Sequence, residues 1–266
     1  MNPLICPVCK SRHIDSPLYL KDHSLYCENK HCFDISRTGS VTFTTPSGDD
    51  KDMVKARTEF LNTGAYEPFA ERLGSKITNI GNDIVAVDAG CGEGYYSNRF
   101  AHFSNLYGFD LSKSAIAHAS KTAKSMNNNA FFAVCGIFDL PIASSSVDAV
   151  FSIFAPISDE FMRILKPNGL LIIGAAGKRH LLEMKSAVYD TVYENEGRRD
   201  LPSCMELVSS ENLTYRFMCE GEHIKQLFSM TPYYYKTSKS GIERLEQLKQ
   251  LEITADFDIF VYRKKI

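Results

Sequence analysis

The chain has 266 residues, 44% hydrophobic and 23% charged, an ordinary globular composition that excludes a disordered or fibrous protein. Its formal charge of −2 gives no global attraction to nucleic acid or to an anionic membrane, so an RNA partner would have to be held by a local positive field. No stretch approaches the roughly 20 apolar residues needed to span a bilayer, and the first six residues lack the basic and apolar regions of a signal peptide.

The length suits one large α/β domain with a small addition. Residues 1–45 hold four of the eight cysteines and too few apolar runs to build a core unaided. Cys91, Cys135, Cys204 and Cys219 are scattered among apolar neighbours, as buried thiols are in a reducing compartment, and a cytoplasmic location is expected. The polar, turn-forming stretch Thr44–Asp50 reads as a linker into a main domain over residues 46–266, which opens with a helical lead-in over 52–80. Apolar spacing predicts helices over Asp52–Leu61 and Glu67–Ile77. Ile84–Val87 is a continuous apolar run suited to a buried parallel strand. A glycine-rich turn then leads to a helix over Tyr95–His102, a strand over Asn105–Phe109, a helix over Ser114–Ser125 and a strand over Ala130–Val134. Val147–Phe154 and Leu170–Ala175 are two more strands, and the helix Asp159–Leu165 between them ends at the turn signal Lys166-Pro167-Asn168-Gly169. Leu213–Cys219 and Phe257–Tyr262 suit an antiparallel pair at one sheet edge. This alternation predicts a Rossmann-like, doubly wound, mostly parallel sheet.

The segment Asp88-Ala89-Gly90-Cys91-Gly92-Glu93-Gly94 follows a strand and opens a helix. Glycines there permit a tight turn and close approach of a ligand to the backbone. A dinucleotide fingerprint would place its third glycine three residues after the second, whereas here it comes after two. Asp88 and Glu93 would repel a pyrophosphate and suit a ligand with a cationic amine and sulfonium, as in S-adenosylmethionine. Asp110, 22 positions after Asp88, can accept hydrogen bonds from ribose hydroxyls, a role that nicotinamide enzymes share. With Leu165-Lys166-Pro167-Asn168-Gly169 before a late strand, the pattern resembles class I methyltransferases, Asn168 departing from their usual glycine.

Cys6-Pro7-Val8-Cys9 and Cys27–Cys32 form two close groups of soft ligands separated by 17 residues, the pattern of a structural tetrahedral zinc site. Cys6, Cys9 and Cys27 supply three ligands, and spacing leaves the fourth open between His31 and Cys32. Four protein ligands would leave the ion no open position for catalysis.

Both parts together resemble bacterial 23S ribosomal RNA (guanine-N1)-methyltransferases over most of the chain. The resemblance is carried by Phe33-Asp34 to Gly39-Ser40-Val41, Gly48-Asp49 to Met53 and Ala56-Arg57, and Phe60 to Pro68. It continues through Gly90 to Tyr96, Ala155-Pro156, Arg179 to Lys185 and Met230-Thr231-Pro232, with Ser40 and Tyr235 as departures from the usual aromatics. It implies His31 as the fourth zinc ligand and a zinc-ribbon-like module that helps recognise an RNA hairpin. It also implies that Tyr66 and His180 line the S-adenosylmethionine pocket beside Gly90, Cys91, Gly92, Glu93 and Gly94.

Methylation of guanine N1 requires loss of its proton, for which Asp52, Asp139 and His180 are candidate bases. Lys10, Arg12, Lys21, Lys30 and Arg37, and beyond them Arg57, Lys178, Arg179, Arg198 and Arg199, are candidate phosphate contacts, with 194–200 as a substrate-side loop. A homodimer is an option the sequence leaves open, and it would join two modules over one RNA. Two other readings share these motifs: a methyltransferase for a quinone or phenolic metabolite, and a non-catalytic zinc and RNA-binding protein.

Overall fold

The computed structural model describes residues 2–78, 80–81, 83–102, 104–195, 203–231 and 233–265. Arg198, Arg199, residues 196–200 of the expected substrate-side loop and Pro232 lie outside them, as does the side chain of Tyr235.

The N-terminal elements are short: α1 (Pro7–Lys10), β1 (Tyr19–Lys21), β2 (Ser24–Tyr26), β3 (Cys32–Asp34) and β4 (Val41–Thr42). Two helices follow, α2 (Lys51–Leu61) and α3 (Glu67–Thr78), and the Asp50 carboxylate caps α2 by accepting from the N–H groups of Asp52 and Met53. Alternation then brings β5 (Ile84–Ala89), α4 (Tyr95–Phe100), β6 (Ser104–Asp110), α5 (Lys113–Ser125), β7 (Phe131–Val134), β8 (Val147–Ile153), α6 (Asp159–Ile164) and β9 (Leu165–Ala176). The chain closes with α7 (Leu182–Val188), β10 (Met205–Glu220), α8 (Glu222–Ser229), a 3-10 turn over Tyr234–Lys236, α9 (Lys239–Glu246) and β11 (Gln250–Lys264).

β1, β2 and β3 make a small antiparallel sheet, and the other eight strands make one large sheet in the order β10-β11-β9-β8-β5-β6-β7-β4. From β9 to β4 every neighbouring pair is parallel, while β11 runs antiparallel to both β9 and β10. The order reverses beside β5, whose two neighbours are the next strand in sequence and the one after β7. Ligands of open α/β sheets bind at such a switch point, beyond the carboxyl ends of the strands.

Successive side chains of a buried strand point to opposite faces. Ala86 joins one core with Phe69, Leu73, Phe100 and Phe257, while Val87 and Ala89 join the other with Phe109, Val150 and Leu171. That second core includes Leu4, Cys9, Leu18, Leu25 and Val41, so the N-terminal residues bury their apolar side chains against the large sheet. β4 zips Val41 and Thr42 alongside Ala133 and Val134 of β7, and Leu4 bridges to Ile142. Two further bonds fasten this seam, Ile5 N–H to Pro141 O at 2.9 Å and Ala143 N–H to Pro3 O at 2.9 Å. Nor does the segment read as a linker hang free. Ser47 N–H donates to Leu111 O at 3.0 Å, and the Ser112 hydroxyl donates to Asp49 O at 2.6 Å.

Two expectations need correction. Lys166–Gly169 does not separate a helix from a strand, because β9 already begins at Leu165. Register jumps from Val147 opposite Leu165 to Ala149 opposite Leu170, so the turn residues are absorbed as an irregularity, with Asn168 at φ 65°. The C-terminal pair is also far longer than expected, running in register from Met205 opposite Lys264 to Glu220 opposite Gln250.

Phe257 of β11 is fully buried, stacked on Phe69 with ring centres 4.1 Å apart and edge-on to Tyr66 at 5.0 Å. Phe257→Ala should therefore cost about 3–5 kcal/mol of stability, read as a lowered midpoint in urea unfolding.

Candidate active site and metal centre

The carboxyl end of β5 turns through Gly90, Gly92 and Gly94, with φ of 82°, 54° and 81°. A side chain would be strained at each, and two of the three also lack room. A Cβ on Gly90 would lie 2.8 Å from the Ala155 Cβ, and one on Gly94 would lie 2.7 Å from the Ala119 Cβ. The turn takes its shape from the end of β6: the N–H groups of Gly90 and Cys91 both donate to Phe109 O, at 2.8 and 3.0 Å. Asp110 completes it, Oδ2 accepting from Gly92 N–H at 3.1 Å and Oδ1 from Ser112 N–H at 2.8 Å. Each carboxylate oxygen keeps a second lone pair for another donor.

Asp88 is buried at the end of β5, where Oδ2 accepts from the Ser97 hydroxyl while Oδ1 has no hydrogen-bond partner among the described residues. Burial pushes its pKa up to about 7; the Ser97 bond opposes this, and the charges of Asp110 and Glu93 add to it. Glu93 is buried too, but its carboxylate accepts from Arg57 Nε of α2, and Arg57 Nη1 pairs with Asp49 at 2.7 Å. Burial works against the Arg57 charge, yet Glu93 and Asp49 outweigh it and hold the pKa above its ordinary value. Arg57 is thus drawn into the rim of the glycine turn and away from the RNA-phosphate role considered for it. A sequence signal for this exists: Arg57 lies three residues after Val54 and four before Leu61, on the face of α2 that both bury.

Tyr66 and His180 are both buried, and Tyr66 Oη lies 3.2 Å from His180 Nε2. They reach the rim through Phe154, whose ring stacks on His180 and whose neighbour Ala155 touches the glycine turn. The Asp256 N–H donates to His180 Nδ1 at 3.3 Å, so the ring proton belongs on Nε2, facing Tyr66. Burial lowers the His180 pKa to about 4, against the pull of the Asp256 charge, and the ring is neutral at physiological pH. With one nitrogen protonated and the other already accepting, His180 has no lone pair free to take a proton. Of the other two candidate bases, Asp52 is exposed on the first turn of α2, and Asp139, also exposed, is paired with Lys10. That pairing, with a second to Glu160 at 2.7 Å, also removes Lys10 from the free phosphate contacts. Arg12, Lys21, Lys30, Arg37, Lys178 and Arg179 are exposed.

Cys6, Cys9, Cys27 and His31 converge, their ligand atoms all within 4.8 Å of one another. Cys9 and Cys27 sulfurs are 3.8 Å apart, and His31 Nδ1 lies 3.4, 3.4 and 3.3 Å from the sulfurs of Cys6, Cys9 and Cys27. A zinc ion with bonds of about 2.3 Å to sulfur and about 2.0 Å to nitrogen needs tetrahedral edges of roughly 3.8 and 3.5 Å. The donor set fits. α1 brings Cys6 and Cys9 together around Pro7, and a turn with Lys30 at φ 63° brings His31 back to Cys27. Cys32 is exposed on β3, with its sulfur toward Asp34, and stands outside the cluster.

A methyltransferase-domain family model matches residues 86–169, from β5 to the start of β9. SpnF, a [4+2]-cyclase of known structure, superposes with a TM-score of 0.51 at 15% identity, covering 81% of this chain and 95% of its own. At that identity the likeness concerns the fold alone. Fold, glycine turn and family model together define a methyltransferase with a Rossmann-like sheet. Two relatives narrow the class. The 23S rRNA (guanine(748)-N(1))-methyltransferase of Streptomyces fradiae is 31% identical over 86% of this chain and 84% of its own length. YxjB of Bacillus subtilis, provisionally named a 23S rRNA (guanine-N(1)-)-methyltransferase, is 29% identical over 97% and 96%. This chain belongs to the 23S rRNA (guanine-N1)-methyltransferase family.

Two outcomes are expected. Metal analysis should find one divalent ion per chain, retained in Cys32→Ser and lost in His31→Ala. The Asp88 carboxyl, with its pKa raised by folding from 3.8 to about 7, contributes stability that is full below pH 4 and lost as pH rises through 7. The melting temperature of Asp88→Asn relative to wild type should accordingly climb between pH 4 and pH 8.

Proposed function

We propose that this enzyme transfers the methyl group of S-adenosylmethionine to N1 of a guanine in a hairpin loop of 23S ribosomal RNA, in the cytoplasm. Residues 46–266 would form the catalytic domain and residues 1–45 a zinc-bound module that helps hold the RNA. Membership of a family whose relatives carry that activity in their names is the observation that supports the reading best. Site chemistry agrees with it. Bare backbone at Gly90, Gly92 and Gly94, with Cys91 between them, leaves room for the ligand, and Asp110 has acceptor capacity for the ribose hydroxyls. The unpartnered Asp88 Oδ1 suits a nearby amine, while Tyr66 and His180 would wall the pocket with a neutral, aromatic surface.

Bound there, S-adenosylmethionine supplies an electrophilic methyl group on sulfonium sulfur. The protein's part is to hold guanine N1 in line behind that carbon, as the new N–C bond forms and the C–S electron pair returns to sulfur. The N1 proton leaves in the same process and passes to solvent water, so that the products are the neutral thioether, the methylated base and one proton. A hairpin loop suits this demand, since an unpaired base swings out of its stack more cheaply than a paired one. The zinc ion would be structural, because three thiolates and one imidazole fill its tetrahedron. The exposed cations Arg12, Lys21, Lys30 and Arg37 lie on the module and suit phosphate contacts. A homodimer facing one RNA would double that modest charge.

The experiment is methyl transfer from labelled S-adenosylmethionine to unmodified 23S ribosomal RNA, followed by reverse transcription. Label should enter the RNA and primer extension should halt at one hairpin guanine, since N1 lies on its pairing edge. Bound cofactor with transfer only to small phenols or quinones would replace this reading with the metabolite one.

A further inference from the structure

Arg57 reaches the glycine turn from α2 with only part of its hydrogen-bonding capacity in use. A guanidinium offers five N–H donors in a rigid fork. Here Nε serves Glu93 and Nη1 serves Asp49, while Nη2 has no hydrogen-bond partner among the described residues. Nη2 lies 3.5 Å from the point a Cβ on Gly92 would occupy, so it stands directly over bare backbone. The group is firmly seated: Glu93 is buried, Asp49 is fixed through its own carbonyl to the Ser112 hydroxyl at 2.6 Å, and Val54 and Leu61 flank Arg57 on the buried face of the helix.

The methionyl tail of the cofactor bears an ammonium and a carboxylate on one carbon. Asp88 and Asp110 favour the ammonium, while Glu93 is already paired with Arg57, and the same field repels the carboxylate. A donor cation at its anionic end lets the tail enter whole, and Arg57 keeps Nη2 available to donate to that carboxylate. We propose that Arg57 binds the α-carboxylate of the methionyl tail and so selects an adenosyl sulfonium bearing an intact amino acid over one ending in an amine alone. The proposal rests on the S-adenosylmethionine reading above. It also assigns Glu93 a positioning role, since its carboxylate orients the Arg57 fork.

Decarboxylated S-adenosylmethionine keeps the adenosine, sulfonium and amine and lacks only the carboxylate, so paired calorimetric titrations of the full-length protein isolate this contact. Wild type should bind S-adenosylmethionine about 10- to 100-fold more tightly than the decarboxylated compound, the range for a charge-assisted hydrogen bond. Arg57→Gln should weaken the parent cofactor by a similar factor and leave the decarboxylated one within about threefold, collapsing the ratio. Arg57→Lys, which keeps the charge and loses the fork, should fall between. Equal binding of the two compounds by wild type overturns the proposal, even if the glutamine variant fails to fold. An undiminished ratio in either variant overturns it as well. Wild type that binds neither compound sinks the underlying cofactor reading, a result distinct from the other two.

Discussion

Three residues in a span of five hold positive φ in the turn after β5, and the backbone there can keep that shape only because β6 ends beside it. One carbonyl, that of Phe109, receives two N–H groups of the turn, and Asp110 receives a third. The carboxylate suited to a ribose is therefore also a strut of the turn. Ala155 and Ala119 approach to distances that forbid a Cβ on Gly90 and Gly94, which presses the loops after β8 and the helix after β6 against the same few atoms. The aromatic wall of Tyr66, Phe154, His180 and Phe257 stands on the β8 and β11 side of that turn, and Arg57 closes it from α2.

Much of this architecture was legible in the sequence because burial on both faces leaves plain marks. β5 opens with the apolar run Ile84–Val87 and β8 is apolar apart from Asp148 and Ser152, and the helices between them carry apolar residues at helical spacing. Legibility failed where local signals lost to pairing. Lys166-Pro167-Asn168-Gly169 has the chemistry of a turn, yet flanking strands hold it within β9 as a bulge. β4 has only two residues, too few for any periodicity, and its place beside β7 follows from packing. The outer halves of β10 carry polar and charged residues on an exposed edge, which hid a strand that pairing extends to sixteen residues.

The site divides in the same way. Glycines at close intervals and cysteines in pairs are local patterns, so the turn and the Cys/His cluster could be read directly. His31 and Cys32 are adjacent, and only the turn at Lys30 decides which one faces the other ligands. Charge pairing was the least legible, because partners lie far apart in the chain. Glu93 and Arg57 are separated by 36 positions, and without the fold each passes for a free charge, one for the cofactor and one for RNA. Lys10 and Asp139, 129 positions apart, cancel each other in the same fashion.

The seam between β4 and β7 carries a consequence for how such an enzyme can be altered. Deleting everything before residue 46 would strip β7 of its outer neighbour, expose a row of backbone donors and acceptors, and remove Leu4, Leu18, Leu25 and Val41 from the second core. Naked sheet margins of that kind recruit strands from other molecules. The N-terminal region accordingly completes the margin of the sheet rather than hanging from it as a tag. Exchanging it between relatives would have to preserve the main-chain bonds that join Ile5 to Pro141 and Ala143 to Pro3.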